Sequence, residues 1–360
     1  MKSKIAFALS LASLLLLPML GAQSTPAAAL LALSKRDHTL AIVDPATLKV
    51  VAKVPVGNDP HEVIASSDGG TAYVSNYGFG AYNTLAVIDL VAQKPLPVVD
   101  LGALRGPHGL AFVGGKTWFT AEGAKAIGSY DPATNKIDWI LGTGQNRTHM
   151  IFVSDDMQRI FTSNVSSGTV SIIEKSAAAQ VPAGPSPRRS GRPNARPSHS
   201  APRRPMAIPG GDWNQTVVRV GDGSEGFDVS HDGKEIWVAN AQDGSISIIA
   251  MPGKNVVQTL DAGLHGANRL KFTPDGKRAF VSMLNGPDVA VFDVASRKEI
   301  KRIAVGHGAA GIQMQPDGAR AFVACSPDNY VVVIDLKSLE VTGRIDVGGE
   351  PDGLAWAVRH

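Results

Sequence analysis

The sequence holds almost no cysteine. Cys325 is the only one in 360 residues, so no internal disulfide can form, and its place at the end of a short apolar strand reads as a buried small hydrophobe. Long apolar runs are missing as well. After the first two dozen residues, no stretch approaches the roughly 18 apolar residues that a spanning helix needs. There is no G-x-S-x-G elbow and no H-E-x-x-H helix, which removes two common hydrolase signatures. The glycines of GTGQ (142–145) and GGDW (210–213) lack the following helix that a phosphate cradle requires, so both read as turns. Net charge is small, at +3, and hides one strongly basic segment.

Glycine (38) and proline (23) are plentiful, as suits many tight turns and few helices. Hydrophobic content of 44% is enough for a core. The start, MKSKIAFALSLASLLLLPMLGAQS, has Lys2 and Lys4 before an apolar run from Ile5 to Leu17, then small residues. Residues 1–24 therefore read as a secretory signal, and the expected destination is the periplasm or the cell exterior. The run is short for a membrane span, and no cysteine follows it to carry a lipid.

One pattern recurs along the rest of the chain. SSDGGTAYVSNYG (66–78), SHDGKEIWVAN (230–240), TPDGKRAFVSM (273–283) and QPDGARAFVAC (315–325) each join an Asp-Gly turn to a short strand. A second strand ends in an acidic residue at Asp44, Asp89, Asp131, Glu174, Asp293 and Asp335, with Ala250 at the corresponding place in one unit. The gaps are 42–45 residues except across one insertion, so seven units are expected. Each unit reads as four strands, A to D, with an aromatic at one register position of strand B (Tyr73, Phe161, Trp237, Phe280, Phe322).

The N-terminal segment (about 30–57) supplies strands B, C and D but no A, and EPDGLAWAV (350–358) supplies an A strand alone. The expected fold is an all-β, seven-bladed propeller of four-stranded antiparallel blades spanning 29–360, with one blade shared between the chain ends. The insertion, 176–212, is rich in Pro, Ser and Arg and reads as a disordered basic loop between strands C and D of blade three.

YVSN (73–76), FTSN (161–164) and WVAN (237–240) resemble the name-giving strand of the YVTN family of bacterial β-propeller proteins, and the likeness covers nearly everything after residue 29 except the insertion. The resemblance implies an exported or surface propeller. The wider group includes lactonases and quinoprotein dehydrogenase subunits, but none of their active-site motifs is matched here.

Counting back seven positions from each Asp-Gly turn lands on His61, His108, His149, Glu225, Asn268 and Ala310, and the EPDG turn adds Asp352. Strand A is innermost, so these residues are expected to ring the mouth of the axial channel. Imidazole and carboxylate suit zinc, copper or iron, which makes His61, His108 and His149 candidate metal ligands. A solvated ring of turn residues is the other reading. Loops on the same face add Tyr77, Tyr82, Arg105, Glu122 and Arg147 as candidate ligand contacts. Asn76, Asn164 and Asn240, at the ends of B strands, are expected to cap turns in left-handed geometry.

On the opposite face, Arg188, Arg189, Arg192, Arg196, Arg203 and Arg204 of the insertion could bind a polyanion such as lipopolysaccharide or acidic polysaccharide. Three functions stay open. One is a non-catalytic monomeric propeller binding a small ligand or an envelope protein at the ring. Another is a metal-assisted hydrolase or lactonase with Glu225 or Asp352 as base. The third is a structural envelope protein tethered by the basic loop.

Overall fold

A computed structural model describes residues 24–176 and 213–359 of the chain, and these form seven four-stranded antiparallel sheets. The segment before Ser24, read from the sequence as a secretory signal, and the insertion from 177 to 212, with its six arginines, lie outside the described residues. Strands A of blades one to six are Pro60–Ala65, Pro107–Val113, Thr148–Val153, Ser224–Val229, Ala267–Phe272 and Ala309–Met314. Blade seven takes strand A from Pro351–Val358 and strands B, C and D from Ala28–Ser34, Thr39–Asp44 and Lys49–Pro55. Ala28 pairs with Val358, and the amide of Arg359 donates to the carbonyl of Ala27 at 2.8 Å. The expected closure of the ring by a shared blade is thus observed.

Strands B and C are buried along almost their whole length because neighbouring blades cover both faces, so they are mostly apolar, interrupted by buried hydroxyls such as Ser75 and Thr120. The outer D strands alternate, as in the half-exposed Lys136–Gly142. The strand B aromatics fill the spaces between blades, with Phe161, Trp237, Phe280 and Phe322 no more than 1% exposed.

The Asp-Gly repeat has a local cause. At the A–B turn of blade one the Ser66 hydroxyl donates to Asp68, and Asp68 accepts the Gly70 amide at 2.9 Å. Ser154–Asp156, Ser230–Asp232 and Thr273–Asp275 repeat the arrangement. Gly69 sits at φ +65°, and a Cβ there would lie 2.2 Å from the Val358 carbonyl oxygen. The strand C acids cap their C–D turns: Asp44 accepts the Ala46 amide, Asp89 those of Val91 and Ala92, and Asp335 those of Lys337 and Ser338.

The B-strand asparagines differ from expectation. Asn164 has φ −130°, and its side-chain amide donates to Thr169 and Ser171 of the next strand. Asn240 bonds Ser245 and Ser247 in the same way, while Asn76 donates to the Val56 carbonyl. The side chains bridge neighbouring segments, which requires no left-handed backbone.

Candidate functional site

Every strand A carries one residue more than its partner over the same stretch. Pro60 pairs with Asn76 but Val63 with Val74, and the same shift occurs in all seven blades, down to Pro351–Ser34 and Leu354–Ala32. Such bulges re-aim side chains, and the seven bulges fall on the seven ring positions. Hydroxyls fix them. Thr120 accepts the Gly109 amide (2.9 Å) and donates to the His149 carbonyl of the next blade (2.7 Å). Ser75, Ser163 and Ser282 link their blades in the same manner to His108, Glu225 and Ala310.

The ring positions on five blades meet in one arc. Asp352 lies 3.5 Å from Nδ1 of His61. The rings of His61 and His108 are 5.1 Å apart, and those of His108 and His149 are 3.8 Å apart. His149 places Nε2 2.7 Å from Glu225 and Nδ1 2.5 Å from Glu122. Asn268 stands outside the arc beside Arg269, and Ala310 offers no polar group.

Burial alone would depress the His149 imidazole, but Glu225 and Glu122 outweigh it and hold it at about 9. Burial would raise Glu225; the adjoining His149 and Arg147 overcome this and hold the carboxyl at about 2. Glu122 is likewise held below the carboxylate range by His149 despite its burial. His108 is pushed the opposite way. It is 2% exposed, and burial, reinforced by the charge of His149, drives it well below the usual imidazole range. Its Nδ1 is buried with no hydrogen-bond partner among the described residues.

Of the flanking residues, Tyr77 and Glu122 belong to this network. The Tyr77 hydroxyl donates to Glu122 (2.5 Å), and its ring lies edge-on to His61 and His108 at 4.8 and 5.0 Å. Arg147 spans Glu122 and Glu225 at 3.5 Å each. Arg105 does not join it; its guanidinium donates to the Ala81 carbonyl and braces a loop. Tyr82 lines a recess of about 510 Å³ in front of His61, with Lys35, Asp59, Phe79 and Glu350. A larger hollow of about 640 Å³ between the A–B turns of blades three and four contains none of the ring residues.

Four contributors went unseen in the sequence. Asp59 bonds Nε2 of His61 at 3.2 Å, and Lys35 pairs with Asp352 at 2.9 Å. Glu62 and Arg269, each one residue beyond a ring position, form a buried ion pair between blades one and five. Aligning the residue after each ring position gives Glu62, Gly109, Met150, Gly226, Arg269, Gly311 and Gly353, and the two opposite charges in that column were the available signal. Among the described residues, no group of three or more His, Cys, Asp or Glu is arranged to hold a metal ion. The imidazoles meet ring against ring, and His61 and His149 each turn both nitrogens toward carboxylates.

No family model and no curated protein matches the chain. Among solved structures it is similar to a functionally unknown protein from Desulfotomaculum acetoxidans, with TM-score 0.69 and 15% identity over 92% of this chain and 99% of that one. A protein from Bacteroides fragilis, provisionally assigned as a 6-phosphogluconolactonase, gives 0.67 and 16% over 92% and 98%. Hydrazine synthase from Kuenenia stuttgartiensis gives 0.62 and 16% over 82% and 89%. Identities this low establish the seven-bladed fold and leave the chemistry to the site itself.

Proposed function

We propose that this chain is an exported propeller of the YVTN-repeat kind that binds a small ligand at the ring face and performs no chemistry of its own. The observation that carries the reading is the engagement of the ring. Both nitrogens of His61 and of His149 already face carboxylates, while an open recess stands directly in front of His61. The imidazoles then act as a rigid, charge-balanced wall.

The test is calorimetry of the mature protein with sugars, sugar acids and sugar lactones, comparing wild type with His61→Gln. A saturable ligand whose affinity falls about tenfold in the variant is the expected result. A ligand that binds both proteins equally would reject the reading. Export predicts a mature N-terminus near residues 22–24 in the secreted fraction, and an intact Met1 there would oppose it.

One observation favours hydrolysis as a second reading. His108 and His149 lie 3.8 Å apart, yet burial and the carboxylates push their affinities for protons in opposite directions, as in acid–base pairs. The provisional lactonase name of a similar structure agrees with it. Turnover of glucono-1,5-lactone that disappears in His108→Asn would replace the binding reading. Stoichiometric zinc, copper or iron after chelator-free purification, lost in His108→Ala, would restore the metal-assisted form.

A further inference from the structure

Two properties of the recess before His61 narrow what it accepts. The first is Phe79, at 83% the most exposed of the large hydrophobic side chains among the described residues. It occupies the left-handed region at φ +50°, between Gly78 and Gly80, which also have positive φ. The loop is held firmly in this shape. The Gly78 amide donates to Asp59 (2.8 Å), the Gly106 amide donates to the Tyr82 carbonyl (2.7 Å), and Arg105 binds the Ala81 carbonyl (3.0 Å). The chain thus accepts backbone strain to hold an apolar ring in water beside a polar hollow. Tyr82, 37% exposed, adds a second ring.

The second property is electrical. Every charge in the recess already has a partner: Lys35 has Asp352 at 2.9 Å, Glu350 has Arg36 at 2.8 Å, and Asp59 has His61 at 3.2 Å. An anion would meet Asp59 and Glu350, and a cation would meet Lys35. The same groups keep spare capacity for neutral hydroxyls, since a carboxylate offers about four acceptor sites and an ammonium three donors. The volume of about 510 Å³ lies within the range of roughly 300–1,000 Å³ usual for small-molecule sites.

We infer that the recess binds a neutral pyranose ring, with its C–H face on Phe79 and Tyr82 and its hydroxyls shared among Asp59, Lys35 and Glu350. The inference rests on the proposed ring-face binding and names the ligand class for it.

Titration calorimetry of the full chain tests it, using methyl β-glucopyranoside, methyl β-galactopyranoside, N-acetylglucosamine and cellobiose, with gluconate and glucose 6-phosphate as charged counterparts. At least one neutral sugar should bind saturably and weaken about tenfold or more in Phe79→Ala. The melting temperature of that variant should not fall, because the side chain is exposed. Tighter binding of cellobiose than of the methyl glucoside would assign the site to a glycan chain, and the reverse to a free sugar. Silence with every neutral sugar overturns the inference, and so does binding that ignores Phe79→Ala. A charged sugar that needs His61 and not Phe79 would leave ring-face binding standing and reject the neutral pyranose.

Discussion

Glu62 and Arg269 form a buried ion pair that ties blade one to blade five. Each is at most 9% exposed, and they join blades that three other blades separate on one side and two on the other. Removing one partner of a buried pair leaves an uncompensated charge, so Arg269→Met should cost about 3–5 kcal/mol in urea unfolding. The joint Glu62→Leu, Arg269→Met variant should recover much of that loss. A single variant as stable as wild type would show that the pair carries little.

His149 gives a pH signature. It faces Glu122, Glu225 and His108, with Arg147 and Tyr77 on the same carboxylates. Its folded pKa of about 9 lies above the unfolded 6.5, so its contribution is complete below pH 6.5, declines from there, and is gone above 9. The melting temperature should therefore fall between these limits, and His149→Gln should flatten that fall. At this scale register alone aligned Asp352, His61, His108, His149 and Glu225, which the structure brings into one arc, and also Asn268, which stands outside it. The ion pair beside them was harder to see: its partners lie 207 residues apart, and only the two opposite charges in the column after the ring positions hint at their pairing.

At the level of the strand, the bulge in A and the glycine within it act as one device. Gly353 follows the ring residue Asp352, and a Cβ on it would stand 2.3 Å from the His61 carbonyl oxygen and 2.9 Å from Cα of Glu62. Both obstacles are backbone, so no rotamer can relieve them. Gly353→Ala should destabilise by about 1–3 kcal/mol and displace His61, weakening whatever binds there. A variant with unchanged melting and binding would mean that adjacent blades can slide apart at no cost. The elements were readable because alternation, Asp-Gly turns and strand C acids repeat in register. The bulges were not, since strands A run only six to eight residues and the shift begins at their first positions, leaving too few residues before it to show a change of phase. The asparagines misled for a related reason: Asn tolerates left-handed turns, but here its side chain found Ser and Thr on the next strand.

For the whole molecule, the shared blade was foreseeable because the N-terminal unit lacks an A strand and the C-terminal unit has only one. Closure makes the position of the chain break arbitrary, provided each blade keeps four strands. The two ends of the described chain are already neighbours, with Arg359 bonded to Ala27. At the insertion, Lys175 pairs directly with Trp213, so strands C and D of blade three meet across it. A circular permutant that joins 24 to 359 by a short linker and opens within 177–212 would therefore build blade three from both ends, as blade seven is built now. It should keep the native circular dichroism and melt within a few degrees of the parent. Deleting 351–359 should do the opposite. Strand Ala28–Ser34 would become an open edge with Leu30, Leu31 and Leu33 stripped of cover, and the protein should aggregate on expression. If the permutant fails while the truncation folds, blade seven is not the clasp of the ring.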